Sequence, residues 1–329
     1  MYVSDRVMKA TSFIPEIRRT GPSASEDVEV GSDGAYRVTR RLGRYRLEVS
    51  DHWNPAFAAL WQKYSITELS LNGPLGWRQS EIRFLCDLPN LQRLLLYPFS
   101  DFTWQTLNEL PKLEELRIVQ APNRPEKAID LSRLSALKTV DLPWWPEWSS
   151  VLSNESVQSL TIRDAKRLPE IDARRMKRLK ELRLIRCSDT KEVHFRRGQR
   201  IVAFEVSVCP RLKTIEPSAS LGSVEYLLLN GPVAWNYHQI HDFHRLKQLT
   251  LEHMGNLPTL GFLVELKSLE YLAFQISTVV TDGDLTFLDD LPNLKTVAYD
   301  KSQRHYFPKR PQAWWDKLKR RRAAAGWTF

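Results

Sequence analysis

Any chemistry in this chain must come from a short list of residues. His238, His241 and His244 fall at intervals of three, a spacing that imidazole metal sites use. On an α-helix each such step lags by about 60°, so three rings spread over roughly 120° and suit one ion poorly. Solvated surface histidines are the expectation, no metal is assigned, and whether these three bind one stays open. Cys86, Cys187 and Cys209 make an odd number with no ligand spacing, which fits reduced thiols in a cytoplasmic setting. None of G-x-x-x-x-G-K-[ST], G-x-S-x-G, H-E-x-x-H or G-x-G-x-x-G occurs. No enzyme and no cofactor are therefore expected. Recognition residues are better represented, with 11 Trp, three of them in Pro143-Trp144-Trp145-Pro146-Glu147-Trp148. Trp and Tyr beside Arg form the composition of binding hot spots. That cluster is expected to be partly exposed, although packing would account for it equally well.

Composition removes several classes. Of 329 residues, 42% are apolar and 26% charged, which excludes a disordered chain. No apolar run approaches the roughly 20 residues needed to cross a bilayer, and residues 1–20 carry charges throughout with no signal-peptide core. The net charge of +9 is uneven: 309–329 carries +6, 1–44 carries +2, and 45–308 only +1. The basic pI thus describes a tail. A nucleic acid or an anionic surface bound through that tail is the alternative to a protein partner.

The elements that position these residues come from a repeat. L-x-x-L-x-L, with other apolar residues allowed, begins at Ile66, Leu91, Leu113, Leu137, Val157, Leu179, Ile201, Val224, Leu246, Leu269 and Leu294. The steps run from 20 to 25 residues, with a degenerate copy at Tyr45-Arg46-Leu47-Glu48-Val49. The x-L-x-L-x core alternates as a strand does, and the remaining residues of each copy can cross a layer and return in parallel. One copy cannot bury its own leucines, whereas stacked copies share a core. An apolar residue three positions before the motif extends that core, at Leu88, Leu110, Leu134, Met176, Leu221, Phe243, Leu266 and Leu291.

Some copies lengthen to L-x-x-L-x-L-x-x-C-x-x-L-x-x-I, as in Ile201…Val206…Cys209-Pro-Arg-Leu212…Ile215. This resembles the leucine-rich repeat family over 45–308, and "C-P-x-L" is similar to the irregular repeats of intracellular immune receptors. The family's Asn at the eighth position is absent throughout. Cys187 and Cys209 occupy that inward site and read as small buried hydrophobes. The resemblance implies an α/β solenoid, a leucine-rich-repeat horseshoe with a parallel concave β-sheet and a protein-binding role, with inhibitor, immunity or defence proteins among the possibilities.

The ends need capping. Residues 35–49 alternate on both sides of Gly43 and predict a β-hairpin, and Asn54-Pro55 predicts a helix over 55–64 with Phe57, Leu60 and Trp61 inward. Residues 20–34 are polar and turn-rich and are expected to be a flexible loop. Residues 312–325 predict a short C-terminal helix closing the last repeat through Trp314, Trp315 and Leu318. Three segments result: an extension with the start of the cap (1–44), the repeats (45–308, 11 or 12 copies), and a basic capping tail (309–329).

Outward strand positions lie two, four and six residues after each first apolar residue. With strands about 4.8 Å apart, Arg93/Glu115, Arg117/Asp141 and Arg183/Glu205 can pair across them, and such ladders explain the charges as well as a partner does. The candidate partner-binding residues are Arg93, Tyr97, Arg117, Arg163, Arg183, Glu205, Tyr226, Glu252 and Tyr271 on the face, with Trp144, Trp145 and Trp148 at its rim. The partner's identity and the oligomeric state stay open.

Overall fold

A computed structural model describes residues 26–32, 34–97, 102–119, 124–216, 218–231, 233–299 and 320. The chain divides into two compact units, 1–168 with 172–179 and 169–171 with 180–329. In the first unit the sheet strands follow chain order: β1 (Glu26–Val30), β2 (Tyr36–Arg41), β3 (Arg44–Val49), β4 (Glu68–Asn72), β5 (Arg93–Tyr97), β6 (Glu115–Ile118), β7 (Thr139–Pro143) and β8 (Ser159–Arg163). The first three are antiparallel; from β3 onward each pairs in parallel with the next. The β2–β3 hairpin stands where the sequence places it. The helix, α1 (Phe57–Lys63), starts two residues later than expected, with Ala56 as its N-cap in place of Asn54. The Asn54 side chain instead accepts from the N–H of Ala56 at 2.9 Å in the preceding turn.

The second unit repeats the plan. Its face strands are β10 (Glu181–Ile185), β12 (Ala203–Ser207), β14 (Tyr226–Asn230), β15 (Gln248–Glu252), β17 (Tyr271–Gln275) and β19 (Thr296–Tyr299), each parallel to the next. Short strands on the return side form a second layer: β9 (Glu170–Asp172) with β11 (Glu192–His194) and β13 (Thr214–Glu216), and β16 (Gly255–Leu257) with β18 (Thr278–Val280).

The motif leucines explain the stacking. Register sets Leu69 beside Leu94 and Leu71 beside Leu96, and all four are buried. The eight apolar residues three positions upstream are buried too, as are Cys187 and Cys209. The return arcs are 3-10 turns, such as Trp104–Glu109 and Pro146–Ser153, or the short strands above. A 3-10 turn rises further per residue than an α-helix, so it crosses the layer in the few residues that each repeat provides. In five repeats the residue after the strand is left-handed although not glycine: Asp164, Arg186, Val208, His253 and Ile276 have φ between 51° and 55°. The sixth is Gly231, at φ 87°. The N–H groups of Arg186, Val208, Gly231 and His253 each bond to a carbonyl of the next repeat at 2.6–2.8 Å, which holds this costly backbone in place.

One sequence expectation is corrected. Residues 20–34 are not a loop throughout, because β1 lies within them, paired to β2 from Glu26↔Arg40 to Val30↔Arg37. Val28 and Val30 are 38% and 49% exposed, so the strand buries no face and shows no alternation to read. It is anchored by Glu29, whose carboxylate accepts from Lys63 Nζ (2.8 Å), Tyr64 Oη (2.7 Å) and Tyr36 Oη (2.9 Å). These donors, Lys63 foremost, pull the Glu29 carboxyl from its ordinary 4.5 down to about 2. A folded value below the unfolded one stabilises fully above about 4.5 and stops doing so as pH falls through about 2. The amides of 26–30 are therefore expected to lose hydrogen-exchange protection across that window before those of β3 and β4, and Glu29→Gln should expose them at neutral pH. Protection of β1 that stayed level with β3 down to pH 2 would remove Glu29 as the anchor.

The C-terminal helix expected over 312–325 lies outside the described residues, apart from helical Arg320.

Candidate protein-binding face

The outward side chains follow from strand period and register. In the first unit the first outward column runs Arg46, Glu68, Arg93, Glu115, each opposite the next across the pairing. Arg46 bonds Glu68, and Arg93 Nε stands 3.5 Å from Glu115 Oε2. Arg117 does not pair with Asp141 as the spacing predicts. Its Nε takes Glu115 Oε1 at 2.5 Å, two residues back on the same face of β6. Asp141 pairs instead with Arg163 at 2.9 Å, and Arg163 also donates from Nη2 to the carbonyl of Ile118 at 2.7 Å. Arg163 is thereby largely covered, whereas the Arg117 side chain is 51% exposed. Tyr97, at the end of β5 opposite Asn72, is half-buried.

In the second unit Arg183 lies 3.7 Å from both Glu181 and Glu205, the latter pair being the one the spacing predicts. Tyr226 on β14 and Tyr271 on β17 hold half-buried outward positions. Glu252 does not offer its carboxylate to a partner. It is buried at the end of β15, where Gln275 Nε2 (3.1 Å) and Asn230 Nδ2 (3.5 Å) donate to it. Outward positions at strand exits are roofed by neighbours one repeat away, which strand alternation alone does not disclose.

The tryptophan rim is corrected as well. Trp144 and Trp148 are buried, and Trp148 meets Trp104 edge to face with centroids 5.3 Å apart. Trp145 is half-buried. The arc Pro146–Ser153 turns inward directly after β7, so the first and last of these indoles fill core. What the sequence reading missed is a set of basic residues on the hairpin: Arg41, Arg44 and Arg46 join Arg93 and Arg117 over one recess. The run Arg40-Arg41-Leu42-Gly43-Arg44-Tyr45-Arg46 was the signal available.

Potential reactive groups go elsewhere. His238 and His241 sit on a 3-10 turn, where residues three apart eclipse, unlike the helix assumed above. Yet His241 Nδ1 contacts the His238 carbonyl at 2.5 Å, its Nε2 lies 3.1 Å from Asp242, and the His238 ring packs on Phe262. Among the described residues no group of three or more His, Cys, Asp or Glu is placed to hold a metal ion. The Cys86 thiol is pushed up by burial and then by the Glu109 carboxylate, the reverse of an activated nucleophile. Cys209 is lowered, chiefly by a hydrogen bond from Cys187, but both thiols are buried. Among the described residues no helix is long and apolar enough to cross a membrane.

Strand register, buried leucine ladders and short return arcs together define the leucine-rich-repeat solenoid fold. No family model and no curated protein matches the sequence. Solved structures similar to the chain include an internalin from Listeria monocytogenes at 14% identity, covering 71% of this chain and 73% of that one, with a TM-score of 0.39. A plant peptide hormone receptor in complex with RGF2 aligns at 13% identity over 84% of this chain and 52% of its own, with a TM-score of 0.38. A leucine-rich-repeat protein of Leptospira interrogans aligns at 14% identity over 77% and 89%, with a TM-score of 0.26. Likenesses this distant carry no ligand or role across.

Proposed function

We propose that the chain is a non-catalytic recognition module that binds a protein partner through outward strand residues: Arg93, Tyr97 and Arg117 in the first unit, and Arg183, Tyr226 and Tyr271 in the second. One observation carries this reading. The strand faces offer guanidinium groups held by neighbouring carboxylates, with half-buried phenols at other outward positions, the chemistry of interface hot spots. Glutamates interleaved with the arginines disfavour a nucleic-acid track. Three free cysteines fit a reducing, cytoplasmic setting, and an inhibitory, immunity or defence role is in keeping with such a module.

Capture from native lysate tests it. The double reversal Arg117→Glu/Arg183→Glu, folded by circular dichroism, is expected to lose the captured protein by roughly thirtyfold or more in affinity, the scale of a hot spot. Deleting 309–329 is expected to spare it. Retention by the reversal with loss on deletion, together with steep salt dependence, would transfer binding to the basic C-terminal segment.

A further inference from the structure

In the first unit the β2–β3 turn and the outward face of β3 to β6 enclose a recess of about 450 Å3. Five arginines line it: Arg41 and Arg44 from the two ends of the turn, Arg46 on β3, Arg93 on β5 and Arg117 on β6. Only two acids accompany them, Glu68 and Glu115. We propose that this recess binds an acidic segment of a protein partner, taking two or three carboxylates with an aliphatic side chain beside them. The proposal rests on the protein-recognition reading above and adds the partner's chemistry and its docking point.

The glutamates position the arginines more than they neutralise them. Glu115 holds both Arg117 and Arg93, and Glu68 holds Arg46 while facing Arg93 across the pairing. A guanidinium has five N–H donors in a fixed fork and stays charged at any ordinary pH. Arg46, Arg93 and Arg117 give one or two donors each to the glutamates, and Arg117 and Arg93 keep side-chain exposures of 51% and 34%. Guanidiniums held by the glutamates and still exposed, as those of Arg93 and Arg117 are, match the bidentate geometry of carboxylates.

The turn supplies a second, independent observation. Leu42 and Gly43 both have positive φ, 49° and 76°, with Arg41 opposite Arg44, which is a two-residue hairpin turn. Asn-Gly or Asp-Gly is the sequence such a turn prefers. Leu42 instead accepts a left-handed backbone and remains 71% exposed, so it contributes nothing to the core. It lines the recess together with Leu95, and a ligand with an apolar side chain between its acids would cover both.

A polyphosphate chain fits less well. Further along the same face Thr139, Ser159 and Thr161 carry no charge, and Asp141 is acidic, so a long anionic backbone finds no continuing track.

The probe is a fluorescein-labelled synthetic peptide, Asp-Glu-Leu-Glu-Asp, with Asn-Gln-Leu-Gln-Asn as its neutral analogue, titrated into the full chain by anisotropy. The acidic peptide is expected to bind roughly a hundredfold more tightly than the analogue, and more weakly as salt rises. Arg44→Gln should weaken it roughly tenfold. Leu42→Asn should also weaken it while leaving the melting temperature equal or higher, because the turn then has its preferred residue; this separates loss of the site from loss of fold. The proposal is overturned if the acidic peptide does not bind, if neither variant changes its binding, or if inorganic phosphate or a single-stranded oligonucleotide at equal concentration displaces it. Retention of the lysate partner by Arg44→Gln, with its loss in the Arg117/Arg183 reversal, would remove this proposal and leave the recognition reading standing.

Discussion

Trp148→Ala is expected to cost about 3–5 kcal/mol of stability, the range for truncating a large buried aromatic. The indole is fully buried and packs edge to face on Trp104, which in turn meets Phe102 at 5.2 Å. The cavity could not collapse easily. The arc carrying Trp148 is fixed by Trp148 N–H to the carbonyl of Trp145 at 2.9 Å, and by Ile129 N–H to that of Glu147 at 2.9 Å. Repeats hold only their neighbours, so a void in a middle repeat should also loosen the coupling of those on either side. Urea unfolding followed by circular dichroism is expected to show a lower midpoint and a broader or split transition. Trp148→Phe should cost much less, since among the described residues the indole N–H has no acceptor and removing it leaves no partner unpaired. Trp145→Ala, at a half-buried position, should fall between the two. A loss below about 1 kcal/mol for Trp148→Ala would mean the arc does not pack as described.

That tryptophan also shows where sequence reasoning reaches its limit. The strands were legible because alternation and a period of about 23 residues are both imposed by one demand, burial of two leucines per rung. The hairpin was legible because Gly43 interrupts alternation that resumes with the opposite parity on the other side, placing Val38 opposite Leu47. Trp144 and Trp148 were not, since an indole after a strand exit serves a core and an interface equally well, and only the direction of the next turn decides. Glu252 failed for a related reason: its outward position is correct by strand period, yet Asn230 and Gln275 close over it from neighbouring strands. Arg117 chose Glu115 over Asp141 because Arg163, one strand further on, already held Asp141. The Glu252 and Arg117 outcomes depend on residues 20 or more positions away, which spacing within a repeat does not encode.

Gly76 provides the second large effect, and it comes from an approach between segments rather than from a motif. Asn72-Gly73-Pro74-Leu75-Gly76-Trp77 and Asn230-Gly231-Pro232-Val233-Ala234-Trp235 match at their ends, but glycine in the first stands where the second has alanine. Gly76 has φ 134°, a conformation that L side chains rarely adopt, and a Cβ there would run into the backbone carbonyl oxygen of Ser50. Ser50 cannot move away freely, because its N–H bonds the carbonyl of Ala35 at 2.8 Å and closes the base of the hairpin. Gly76 is fixed too: its N–H bonds the Gly73 carbonyl at 2.9 Å, and the next residue, buried Trp77, bonds the Asn72 carbonyl at 3.1 Å. Gly76→Ala must therefore strain the turn or shift the hairpin off the first repeat, at an expected cost of about 3 kcal/mol or more. Faster proteolysis within 34–50 should accompany the lower urea midpoint, since the hairpin is what gives way. Ala234→Gly, at an exposed site, should change stability by about 1 kcal/mol at most. Equal stability of Gly76→Ala and the parent would mean that the hairpin does not press on this turn.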